Sequence, residues 1–567
     1  MLPRVLALAT AALLLLTLVP VGAQDTPEIW LHMFFSINPA AGSDRAVDLL
    51  ERAGQAGYTH ALLADGWLLQ LDDPSEAYLE HLGAVQAAAD AAGIELVPAV
   101  MPIGYSGSII SRDRNLDEGM PVRGARLVVE AGQARLEPDP PLAVPDPGFE
   151  TAESHDFVEW GWQDQPGVIS FRDPDVFHSG SSSLRMTDIG VHDPQHGHGR
   201  INATITVSPF RQYHASVWVK TEDFDTDCMT RLFIATPEVR PLSFGELDLE
   251  PTQDWTRYDL VFNSLRSDEI LVYLGVWGGG EGTIWWDDLV IEEIGLVNVL
   301  RRPGTPLVVR GPDGTEYEEG RDYEPIGGMN EGPARWYPWT ETFPEAQPLV
   351  LTDTTRISDG EELRVDFYHA AHVLGDQTMC CLSEPEVYEI LRSQVAGVRE
   401  HMEPTTWFMN HDEIRVANWC EACQSREMAP GELLADNVRR CQEMIREASP
   451  GARIVVWSDM FDPGHNAHDD YYAVNGTWAG SWEGLLPSTD IANWYHGGGV
   501  DTMRWFEERG HRQILCGYYD NPDFYTDEWL ETAREEDIDG VIGAMYTTWQ
   551  PGYDLIDEWA GTVRGAW

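Results

Sequence analysis

The sequence is almost without lysine. Lys220 is the one it has, and every other permanent cation is an arginine. Positive charge is scarce altogether: Lys and Arg total 37 against 94 Asp and Glu, a net charge of −57. A surface of that sign repels nucleic acid and anionic bilayers, so neither is expected as a partner, and a neutral ligand suits it best. Most of the acidity serves solubility. Past the N-terminus no segment is long and apolar enough to cross a bilayer, so no stable membrane insertion is expected. Cysteine is sparse as well, seven residues at 228, 380, 381, 420, 423, 441 and 516. An odd number leaves at least one free thiol in a monomer. Cys420-x-x-Cys423 with Cys380-Cys381 fits either disulfides or a thiolate metal site such as zinc, and the spacing does not choose.

The start of the chain reads as an address. Met1–Arg4 is short and basic, Val5–Val19 is almost wholly apolar, and Val21-Gly22-Ala23 is a small-residue cleavage site. The expectation is a signal peptide over 1–23, a mature chain from about Gln24, and secretion to the periplasm or the medium. Tryptophan is plentiful, at 22 residues. Indole faces stack on the C–H faces of sugars, although large cores use Trp too.

Strand and helix patterns alternate at both ends of the chain. Ile29–Phe35, Thr59–Ala64 and Ile94–Met101 read as buried strands, with helices over Asp44–Ala56 and Glu76–Ala92 between them. The rhythm stops near Gly104 and resumes with a helix at Glu384–His401. Five further strands follow at Trp407–Asn410, Arg453–Trp457, Asp490–Trp494, Gln513–Tyr518 and Val541–Tyr546. Three and five make the eight parallel strands of an α/β (β/α)₈ TIM barrel, interrupted after strand 3 by an all-β jelly-roll sandwich and small β elements. The expected division is 24–103 for barrel strands 1–3, 104–143 for a small β linker, 144–296 for the sandwich, 297–375 for a second small β region, and 376–567 for barrel strands 4–8.

The middle shows two-residue alternation in about ten short strands. Pro147-Gly148-Phe149-Glu150 opens it, Ser179–Met186 and Tyr213–Lys220 follow, and Thr283-Ile284-Trp285-Trp286-Asp287-Asp288 leads into its last strand. In this order the segments resemble the jelly-roll carbohydrate-binding modules attached to xylanases and cellulases. The resemblance implies an oligo- or polysaccharide partner. It also implies a structural calcium held between Glu150 and Asp287, whose oxygens are suitable hard ligands.

The chemistry concentrates in Trp407-Phe408-Met409-Asn410-His411-Asp412-Glu413-Ile414-Arg415, an apolar strand running into one His, two acids and one Arg. Counting places it at the C-terminal end of strand 4, the end where barrels keep catalytic groups. Cleaving a glycosidic bond needs a carboxylic acid to protonate the leaving oxygen, and an adjacent Asp⁻ raises the pKa of a Glu by repulsion. Neighbours on a regular strand face opposite ways. Asp412 and Glu413 share a pocket only if the strand ends or twists between them.

This barrel resembles glycoside hydrolase family 20, the β-N-acetylhexosaminidases, which carry an Asp-Glu pair at the same place. The resemblance implies that Glu413 is the general acid/base and that Asp412 orients the substrate's acetamido group, which acts as the nucleophile. It implies further that Trp457, Trp494 and Trp549 line the sugar pocket and that Tyr519 holds the acetamido oxygen. His411, Arg415, Asp459, Asp520, Asp65 and His32 complete the candidate substrate-binding set. The family has Gly-Gly before its Asp-Glu pair, where this chain has Asn410-His411. The family's strand 1 Arg has no counterpart in Trp30–Phe35. The expected function is therefore an exo-acting glycosidase (a hydrolase of O-glycosyl bonds) that needs no cofactor for catalysis. Two alternatives stay open: a retaining glycosidase of other specificity with Asp520 as direct nucleophile, or a non-catalytic glycan-binding protein.

Overall fold

A computed structural model of the chain describes residues 26–328, 346–370, 373–374, 377–518, 526–550 and 552–567. The leader expected at 1–23, and the candidates Tyr519 and Asp520, lie outside the described residues. No helix among the described residues is long and apolar enough to cross a membrane.

Eight parallel strands close into a barrel. They are β1 (Glu28–Met33), β2 (His60–Leu63), β3 (Glu95–Ile103), β4 (Thr406–His411), β5 (Arg453–Trp457), β6 (Thr489–Asn493), β7 (Gln513–Tyr518) and β8 (Val541–Thr547). The ring closes where Trp30 of β1 pairs with His60 of β2 on one side and Met545 of β8 on the other. Helices α1 (Ala40–Ala56), α2 (Glu76–Ala92), α3 (Pro385–Met402), α4 (Pro430–Ala448), α5 (Gly499–Glu507), α6 (Thr526–Glu535) and α7 (Ile556–Ala566) lie between strands or after the last. Local chemistry sets their limits. Ser75 caps α2 by accepting the Tyr78 amide at 3.1 Å, and Gly93 ends it in the left-handed conformation at φ +69°. Between β5 and β6 no α-helix forms; the connection holds two short 3₁₀ turns, Asp459–Phe461 and Ser481–Gly484, and the two-residue strand Ala473–Val474, which pairs with Val416–Ala417.

Alternation along the barrel strands sorts their side chains. Trp30, Leu62, Val97, Phe408, Val455 and Ile514 fill the barrel interior as one buried cluster. Their neighbours Leu31, Leu63, Trp407, Val456 and Leu515 belong to the outer cluster. Trp407 and Phe408 are both 0 % exposed, so β4 is apolar on both faces and reads as a continuous hydrophobic run.

Between β3 and α3 the chain builds three antiparallel sheets. Two have five strands each and carry the ten strands from Trp162 to Glu293. Val217 and Val219 from one, and Leu232 and Leu274 from the other, share a buried cluster. The third has six strands and is made from both flanks of that pair: Gly119–Glu130 pairs with Glu362–Ala370. The stretches 104–143 and 297–375, read separately in the sequence, thus meet in one sheet, with its own core around Val122, Val365 and Phe367.

Candidate active site

A cavity of about 510 Å³ opens at the C-terminal end of the barrel strands. β4 delivers Asn410 and Asp412 to it, in the same alternating register as Phe408 inside the barrel. Glu413 would face away on a regular strand. Its backbone instead turns left-handed, at φ +50°, and its side chain reaches the same cavity wall as Asp412. A non-glycine residue held there costs on the order of 1 kcal/mol, an outlay typical of functional positions.

Several contacts hold that turn. The Glu413 amide donates to Asp459 Oδ2 at 2.9 Å, and Gln377 Nε2 donates to the Glu413 carbonyl at 2.9 Å. Arg415 Nη2 pairs with Glu413 Oε2 at 2.8 Å, and the Tyr105 hydroxyl donates to the same oxygen. Arg415 in turn donates to Gln377 Oε1 and lies over the Tyr472 ring, 5.1 Å from its centroid.

Burial first, then the Asp459 and Glu413 carboxylates, hold the Asp412 carboxyl well above the usual Asp range. Asp459 is fully buried and is pushed up to about 6 by burial, against the hydrogen bonds that favour its charged form. Those come from the Glu413 amide, from Asn466 Nδ2 at 2.9 Å and from Trp494 Nε1 at 3.3 Å. Asp459 thus fixes both the Glu413 backbone and the Trp494 ring.

Aromatic rings form much of the rest of the wall. Trp457, Trp494, Trp549, His32 and Phe34 all line the cavity. His32 meets Trp549 edge-on at 4.8 Å and Trp457 at 5.9 Å, and Phe34 meets Trp549 at 5.1 Å. A ring system of this kind offers flat apolar faces beside two carboxylates.

No protein-family model matches the chain, and no curated protein matches it. Solved structures similar to it include a rhamnosidase from Novosphingobium sp. PP1Y, at 11% identity and a TM-score of 0.32. That likeness covers 95% of this chain and 59% of the rhamnosidase. TmCBM61 in complex with β-1,4-galactotriose is similar at 14% identity and a TM-score of 0.21, over 26% of this chain and 97% of that one. Dispersin B is similar at 10% identity and a TM-score of 0.22, over 34% and 60% of the two chains.

The candidates read from sequence divide into three groups. Asp412, Glu413, Trp457, Trp494, Trp549, Asp65 and His32 share the cavity wall. Asp65 is largely spent on structure: it accepts the amides of Trp67 and Ile37 at 3.1 Å each and the Tyr78 hydroxyl at 2.9 Å. Arg415 and Asp459 stand behind the wall and touch its members. His411 is placed elsewhere. It is 0 % exposed on the outer face of β4, with Nε2 3.1 Å from Asn437 Oδ1 of α4, and burial pushes its imidazole down to about 4. Strand alternation accounts for this, since 411 shares the parity of Trp407 and Met409, not of Asp412.

Sequence reasoning missed Tyr105 and Gln377. Tyr105 follows β3 directly, so the rule that sites gather at strand C-termini was enough to find it. Gln377 returns from the inserted sheets and left no local signal.

Glu150 and Asp287 lie against one loop in the sandwich. Glu150 accepts the Ser181 amide at 2.8 Å and its hydroxyl at 2.6 Å. Asp287 accepts the amides of His178, Ser179 and Asp288 at 2.7, 3.2 and 2.8 Å. Among the described residues no third ligating side chain joins them in a cluster tight enough for an ion.

Proposed function

We propose that the chain is a secreted glycoside hydrolase, a (β/α)₈ enzyme that removes sugars from the end of a glycan, with β-N-acetylhexosaminides as first substrates. One observation carries the reading: Asp412 and Glu413, adjacent in sequence, both face a single cavity walled by Trp457, Trp494 and Trp549. In this reading the less buried indoles, Trp494 and Trp549, stack on the terminal sugar. Glu413 protonates the leaving oxygen and later takes a proton from the attacking water, while Asp412 orients the acetamido group that attacks the anomeric carbon. The antiparallel sheets of the insertion hold the glycan near the barrel.

A panel of nitrophenyl glycosides tests this. Turnover of the β-N-acetylglucosaminide or β-N-acetylgalactosaminide is expected. No turnover of any member, together with binding on a glycan array, points instead to a glycan-binding protein.

A second allocation of roles is favoured by the raised Asp412 carboxyl and by the Arg415–Glu413 ion pair. Here Asp412 keeps its proton and acts as the acid, and Glu413 acts as the carboxylate. Leaving groups separate the two. A dinitrophenyl leaving group needs no protonation, so the variant that lacks the acid still cleaves it but loses poorer leaving groups. Glu413→Gln shows that pattern in the first allocation, and Asp412→Asn shows it in the second.

A further inference from the structure

Three cysteines and one glutamate from distant parts of the chain meet in a buried cluster apart from the cavity wall. Glu118 precedes the long strand Gly119–Glu130, Cys381 precedes α3, and Cys420 and Cys423 bracket the start of the short helix Glu421–Gln424. Their ligating atoms all lie within 4.8 Å of one another. Cys381 Sγ is 3.4 Å from Cys420 Sγ and 3.5 Å from Cys423 Sγ. Glu118 Oε2 is 3.8 Å from Cys420 Sγ and 3.5 Å from Cys423 Sγ. None of the four is more than 1 % exposed.

Core packing explains buried cysteines, but not a buried carboxylate pressed against them. Glu118 is aimed there deliberately: its Oε1 accepts the amides of Trp419 at 2.8 Å and Cys420 at 3.0 Å, which turns Oε2 into the sulfurs. Such outer bonds orient metal ligands. The neighbouring guanidinium of Arg302 hydrogen-bonds Glu384 at 2.7 Å and the Asp117 carbonyl at 2.8 Å, so it acts on Glu118, Cys381 and Cys420 through its charge and not as a hydrogen-bond partner. A disulfide does not resolve the cluster. It joins two sulfurs and leaves the third facing Glu118 Oε2, which the Trp419 and Cys420 amides do not reach.

We propose that Glu118, Cys381, Cys420 and Cys423 bind one structural zinc ion. Four donors with soft thiolates in the majority match closed tetrahedral zinc. Zinc–sulfur bonds of about 2.3 Å set tetrahedral sulfurs about 3.8 Å apart, so the observed spacing needs only small adjustment. Cys380, grouped with these cysteines by sequence, is not a ligand; Glu118 takes the fourth place. The ion pins both ends of the insertion to the loop that follows Asp412, Glu413 and Arg415.

The test is elemental analysis of the full chain, purified without chelators, together with its intact mass after alkylation in denaturant without reductant. About one zinc per chain and seven alkylated cysteines are expected. Cys420→Ser and Glu118→Gln are expected to lower the zinc content at least several-fold, and Cys441→Ser to leave it unchanged. If the cysteine variant does not fold, removing zinc from the wild type with a strong chelator serves instead and is expected to lower the Tm. Protein without zinc overturns the proposal, as does a disulfide among these cysteines or full zinc retention in Cys420→Ser.

Discussion

Gly104 runs so close to Asp412 that a Cβ on it would lie 1.9 Å from the Asp412 carbonyl oxygen. Its φ of +102° also belongs to glycine. The end of β3 and the end of β4 are therefore packed backbone to backbone, and this contact seats the acids. Gly104→Ala is expected to cost about 2–4 kcal/mol in chemical denaturation, from backbone strain and displacement of the Asp412 peptide. Activity falls with it if Asp412 shifts.

Removing the Arg415 head group frees Glu413. Arg415→Met keeps much of the stem volume, yet leaves Glu413 Oε2 with the Tyr105 hydroxyl alone of its two observed partners. Because Glu413 stays partly open to solvent, the stability loss is expected to be modest, about 1–2 kcal/mol. The kinetic effect is larger: at least a tenfold fall in kcat, read on the best nitrophenyl substrate.

Asp459 gives the protein a pH signature. Its folded pKa of about 6 stands above the ordinary Asp value of 3.8. Its contribution to stability is full below the unfolded value and is lost as pH rises through the folded one, on the order of 2–3 kcal/mol over that window. The difference in unfolding free energy between wild type and Asp459→Asn is expected to change between pH 4 and 7, in the direction that favours wild type at the acidic end. A difference independent of pH contradicts the assignment.

The tryptophans of the cavity wall differ in how deeply they are buried. Trp457 is 2 % exposed and packs against Phe408 at 4.7 Å. Trp457→Ala is expected to cost about 3–5 kcal/mol. Trp549 is less buried and meets His32 and Phe34 edge-on. Trp549→Ala is expected to raise KM about tenfold with a smaller loss of stability, checked by steady-state kinetics beside thermal unfolding.

How far the sequence reveals this structure depends on the range of the interactions involved. The barrel strands were legible because each is an apolar run bounded by turn residues: Arg453–Trp457 and Gln513–Tyr518 stand where the pattern places them. The meeting of Asp412 and Glu413 required a break in strand geometry, and the φ of Glu413 is that break. His411 was misread by proximity to the acids, although the alternation that puts Phe408 inside the barrel puts His411 outside it. Glu118 reaches its partners across about three hundred residues, and Gln377 is carried back to the site at the end of the inserted sheets, where Glu362–Ala370 pairs with Gly119–Glu130. Pairing at that separation leaves no periodicity in a single strand of sequence.

Glu413 working inside this cavity is tested most directly by comparing wild type with Glu413→Gln on one cleaved glycoside whose leaving group needs protonation. Circular dichroism and the Tm establish that both are folded. A fall in kcat/KM of about a thousandfold or more is expected, in line with loss of a group acting at the reacting bond. Equal rates in the two proteins would contradict it and move the chemistry away from the end of β4.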